Sequence, residues 1–98
     1  MIIKEILSEL EMKDHPVAKA LFKKEGFKVL VLAFKDGMVL KEHKANVPTK
    51  LVVLEGSVNY KSETTEIELG KYDEFEIPVD EVHAVHATAN ALCMLVQG

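Results

Sequence analysis

The sequence predicts an all-β domain, a small barrel or sandwich, carrying a short helix near its N-terminus. Three observations point there. From Phe27 onward, short apolar or alternating runs are punctuated by turn residues roughly every 8–12 positions. Those runs are rich in Val, Leu and Ile, residues that pack well on a pleated, half-buried surface. Two stretches also echo one another: Gly37 to Gly56 and Gly70 to His83 each combine turn glycines, a short strand and one inward-facing histidine candidate, His43 or His83.

The elements follow in order. Ile2, Ile6 and Leu10 recur at i, i+4 and i+8, which suits a short helix and is also compatible with a strand. His15-Pro16 reads as a helix start, with Pro at the first helical position. Val17, Ala18, Leu21 and Phe22 then share one face, and Lys23 and Lys24 fall in a last turn that Gly26 can close. A helix over 16–25 is therefore expected, with Lys23-Lys24 as its solvated end. Lys28 to Phe34 reads as a buried strand, and Asp36-Gly37 as a turn. Strands are expected over Met38 to Lys44, Leu51 to Leu54, Ser57 to Lys61, Thr65 to Leu69, Tyr72 to Ile77, Val82 to Thr88 and Ala91 to Gln97. Asn46-Val47-Pro48, Glu55-Gly56, Ser62 to Thr64 and Pro78 to Glu81 separate them. The whole chain, 1–98, makes one domain: a helical segment over 1–26 and a barrel over 27–97.

Bulk properties exclude several functions. A net charge of −4 disfavours a nucleic-acid partner, which would call for a basic face. No apolar run approaches the roughly 20 residues that span a bilayer, and Lys4 and Glu5 interrupt any secretory leader. A soluble, cytoplasmic protein is the expectation. Cys93, the single cysteine, cannot form an intrachain disulfide and sits in the apolar run Ala91 to Val96, so it reads as a buried, inert thiol.

The histidines carry the chemistry. His15 lies beside Pro16 and reads as a surface residue. His43 ends one strand and His83 opens another. Strand alternation places His83 with Val85 and Ala87 on one face and His86 on the other, and turns Glu42 away from His43. Asp73, Glu74 and Glu76 around Phe75 fit a half-exposed strand. The serines and threonines of 57–65 have no triad context, and the glycines follow no phosphate-loop pattern.

With these residues in view, the chain resembles the small single-domain members of the cupin superfamily. Gly37, His43 and Gly56 match the opening glycine, the first histidine and the closing glycine of the first cupin motif. Gly70, Pro78 and His83 match the second motif. The likeness covers roughly Phe27 to Val96. The departures are Ala45 at the second histidine position, Thr49 or Lys50 at the glutamate position, Asp80 for a glycine and Ala87 for an asparagine.

The resemblance implies a jelly-roll β-barrel, a homodimer, and a pocket holding His43 and His83. It also implies a divalent transition metal (Fe, Mn, Ni, Cu or Zn) wherever three imidazoles and a carboxylate are present. Here only His43 and His83 map onto ligand positions. Two functions follow as expectations. One is a barrel that binds a small organic ligand, with His43 and His83 as its polar contacts and no chemistry. The other is a metal-dependent dioxygenase, isomerase or decarboxylase with the same two residues as metal ligands.

Overall fold

A computed structural model describes residues 1–98. One helix, α1 (Ile2–Leu10), precedes nine strands: β1 (Val17–Lys24), β2 (Phe27–Phe34), β3 (Val39–His43), β4 (Thr49–Glu55), β5 (Ser57–Ser62), β6 (Glu66–Gly70), β7 (Glu74–Ile77), β8 (His83–Ala87) and β9 (Ala91–Gln97). They form two antiparallel sheets, one ordered β1-β2-β9-β4-β7 and the other β3-β8-β5-β6. The inner faces meet in one apolar core that includes Leu32, Phe34, Leu51, Val53, Val58, Tyr60, Val85 and Cys93. That core is what period-2 strands with one apolar face must build.

The helix uses the other face of the larger sheet. Ile6 and Leu10 lie one turn apart on α1 and pack with Val17, Val31 and Ala33. Val31 and Ala33 alternate with Leu30, Leu32 and Phe34, which is why β2 is apolar on both faces. Lys19 on β1 reaches Glu5 and Glu9 of α1 at 3.7 and 3.3 Å and frames this second core.

The expected helix over 16–25 is a correction: residues 17–24 are strand β1, so only residues 2–10 of the 1–26 segment are helical. The apolar spacing at Val17, Ala18, Leu21 and Phe22 is compatible with a helix, but pairing with β2 satisfies one side of this edge segment's backbone and lets Val17 be buried beneath α1. Helix propensity is a weak prior against such tertiary gains. Gly26 misled for a physical reason. Its left-handed φ of +76° would suit a helix end, yet here it closes a hairpin in which Lys24 pairs with Phe27. The other strands lie where the pattern placed them, with β4 extended back to Thr49.

At the end of the barrel where β9 begins, the β4–β5 turn presses against the β8–β9 turn. Gly56 has φ +75°, and a Cβ there would collide with the backbone carbonyl of Asn90. The opposite end, where β9 finishes at Gln97, stays open and holds the histidines.

Candidate functional site

His43 and His83 are cross-strand partners on β3 and β8, with ring centroids 4.3 Å apart. His83 faces inward with Val85 and Ala87, while His86 is exposed, as strand alternation requires. His43 reaches the same face by a different route. Leu40 opposes Val85 and His43 opposes His83, so three steps on β3 match two on β8. This one-residue bulge turns His43 to the side already occupied by Leu40; regular alternation would have put Glu42 there.

Both imidazoles are held in the same way. His43 Nδ1 lies 2.9 Å from the carbonyl of Lys41, and His83 Nδ1 lies 2.9 Å from the carbonyl of Glu81. A carbonyl oxygen can only accept, so each Nδ1 carries the proton and donates it. Each ring is thus left with Nε2 as its unengaged nitrogen. His83 is 2% exposed. Its burial, and next the nearby His43, hold its pKa below the usual 6.5, against an upward pull from the Glu81 carbonyl and carboxylate.

Behind His83 lies a network that alternation alone does not reveal. The fully buried Tyr60 stacks on His83 with ring centroids 5.1 Å apart and meets Phe75 at a tilt of 47° with centroids 4.6 Å apart. Its hydroxyl donates to Glu81 Oε1 at 2.6 Å, and Thr64 donates to Glu81 Oε2 at 3.2 Å. The Tyr60 hydroxyl bond is the main reason the Glu81 carboxyl stays below its ordinary pKa. Burial first, then Glu81, pushes the Tyr60 phenol far above its own. The loop that carries Glu81 is pinned by Asp80, whose N–H donates to the Ala45 carbonyl at 2.8 Å. Asp80 has φ +62°, a left-handed conformation that Asp tolerates better than most residues and that glycine adopts freely.

The remaining expected positions resolve as follows. Thr49 is buried, donates to the Val47 carbonyl at 3.0 Å and accepts from Gln97 Nε2 at 3.2 Å. Lys50 points outward and pairs with Glu74 at 3.5 Å, so it brings no charge to the histidines. Cys93 is fully buried, and burial pushes its thiol up to about 12. His15 is exposed. No group of three or more His, Cys, Asp or Glu side chains converges anywhere in the chain. The donor set at His43 and His83 therefore does not fit a resident zinc or iron, which takes at least three protein ligands.

The two imidazoles line an open cavity of about 590 Å³ between the sheets. Leu30, Leu32, Leu40, Ile77 and Leu95 form its apolar wall. Lys23 and Lys24, expected as a solvated helix end, line it too.

Neither a protein-family model nor a curated protein matches this sequence. Solved structures do. A cupin superfamily protein from Desulfitobacterium hafniense is 18% identical, with a TM-score of 0.80 over 87% of this chain and 78% of that one. An RmlC-like cupin from Desulfovibrio desulfuricans is 24% identical, with a TM-score of 0.76 over 84% and 80%. KdgF from a Halomonas species is 17% identical, with a TM-score of 0.76 over 86% and 80%. Identities this low carry the architecture and no activity.

Proposed function

We propose that this chain, which has the RmlC-like cupin fold, a small jelly-roll barrel with one short N-terminal helix, binds a small organic molecule in the cavity at His43 and His83 and performs no chemistry on it. One observation carries the reading: two fixed imidazoles face the apolar wall of an open cavity, and the polar side chains packed around them, Tyr60, Thr64 and Thr49, are already engaged. Tyr60 and Thr64 are taken up by Glu81, and Thr49 by Val47 and Gln97. A cavity of about 590 Å³ falls in the usual range for small-molecule sites, and its apolar wall of Leu30, Leu32, Leu40, Ile77 and Leu95 suits an organic ligand.

The test is metal retention. Protein purified without a histidine tag and dialysed against a chelator is expected to keep no stoichiometric Fe, Mn, Ni, Cu or Zn. The Ala45→His, Thr49→Glu double variant is expected to retain metal, because it adds the missing imidazole and carboxylate donors. Stoichiometric metal in the dialysed wild-type protein would overturn the reading in favour of a metal-dependent enzyme that uses His43 and His83 as ligands.

A further inference from the structure

The wall facing the histidines has a charge pattern that the barrel does not need. In the larger sheet, Lys23 opposes Lys28, Lys28 opposes Gln97, Gln97 opposes Thr49, and Thr49 opposes Ile77. All five residues line the cavity, so one cross-strand row spans the five strands at its mouth. The next row inward, Ala20, Leu30, Leu95, Leu51 and Phe75, is apolar. The mouth is therefore cationic at one edge and the interior is greasy.

Lys23 reaches this row through a second bulge. On β1, Ala20 opposes Leu30 and Phe22 opposes Val29, which leaves Leu21 unmatched. Regular alternation would place Lys23 with Val17 and Lys19 on the helix-covered face. The extra residue turns it to the cavity face, directly across from Lys28. Two like charges directly opposite on one sheet face are destabilising. Nothing in the chain relieves them: the ion pairs use Lys19, Lys50, Lys71 and the N-terminal ammonium. Lys24 and Lys44 also line the cavity without an ion-pair partner, and no Asp or Glu lines it. In a chain of net charge −4, this is a local reversal of sign.

We infer that the ligand is an amphipathic organic anion. Its carboxylate or phosphate would sit between Lys23 and Lys28 at the mouth, and its apolar body would lie along Leu30 and Leu95 toward the histidines. This rests on the binding role proposed above and adds the ligand's chemical class. An oxyanion between the two ammonium groups converts their repulsion into two charge-assisted bonds, so the cost of the pair in the free protein is recovered on binding.

Calorimetric titration with hexanoate and with hexanamide, which share an apolar chain and differ in charge, tests it. Wild-type protein is expected to bind hexanoate about tenfold or more tightly than hexanamide. That preference should shrink at about 1 M salt and vanish in the Lys23→Gln, Lys28→Gln double variant, with hexanamide binding unchanged. The double variant should unfold at a temperature no lower than wild type, since it loses a repulsion and no partner. Equal affinity for the two probes would overturn the anion inference and leave the ligand pocket standing. A preference that survives in the double variant would place the anion elsewhere and overturn it as well. Binding of neither probe would overturn both the anion and the pocket.

Discussion

Gly56→Ala should be among the most damaging single-methyl additions this chain can suffer, and its cost can be worked from two separate terms. At φ +75° an alanine is in the left-handed region, which costs roughly 1–2 kcal/mol. The new methyl would also overlap the Asn90 carbonyl and lie 2.9 Å from Ala91 Cα and from the Asn90 carbonyl carbon. Those are backbone atoms of a second turn and cannot swing aside, so overpacking adds about 1–3 kcal/mol. Restricting the unfolded chain returns about 0.4–1 kcal/mol. The net loss is roughly 2–4 kcal/mol, or a fall in melting temperature of about 10–25 °C for a domain of this size. Gly37→Ala is the control. Gly37 has φ +88° but open space around its missing Cβ, so it bears only the conformational term and should lose about 1 kcal/mol. Urea and thermal unfolding of both variants decide the matter. If they lose the same stability, the close approach of the β4–β5 and β8–β9 turns is not what requires glycine at position 56.

Ile6→Ala removes a fully buried side chain from the core under α1 and should cost about 2–5 kcal/mol, read from urea midpoints; a loss under about 1 kcal/mol would mean that the helix is not docked. His83 gives a pH dependence of defined sign. Its folded pKa lies below 6.5, so the unfolded chain takes up the proton first: stability from this group is complete above 6.5 and is lost as pH falls toward the folded value. Wild-type protein should therefore lose stability between about pH 7 and pH 5.5 more steeply than His83→Gln, and parallel curves would refute the desolvated imidazole. Two copies of the chain are expected to pair at the β1 edge, where one row of backbone groups is unpaired and Leu21 and Phe22 are 42% and 54% exposed. Light scattering at micromolar concentration should give twice the single-chain mass, and a monomer mass would refute this.

Much of the fold was legible because period-2 alternation and turn residues are local properties. They located β2 to β9, put His83 on the face of Val85 and Ala87, turned His86 away and buried Cys93. The cupin-like glycine and histidine spacing brought His43 and His83 together correctly. What stayed illegible depended on partners distant in sequence. Residues 17–24 carry an apolar spacing that suits two structures, and only β2 on one side and α1 above decide for a strand. Tyr60 and Glu81 are twenty-one positions apart, and neither residue type signals the other until β5 and the loop before β8 meet. The two bulges matter most. Nothing in the residues at 21 or at 41–42 marks an insertion, because a bulge is a mismatch between two strands and has no existence in one. Yet those bulges turn Lys23 and His43 inward. The sequence by itself determined that a barrel forms and which residues it could offer. The pairing registers of β1 with β2 and of β3 with β8 decided which of them face the cavity, because a one-residue slip carries a side chain from one face of a sheet to the other.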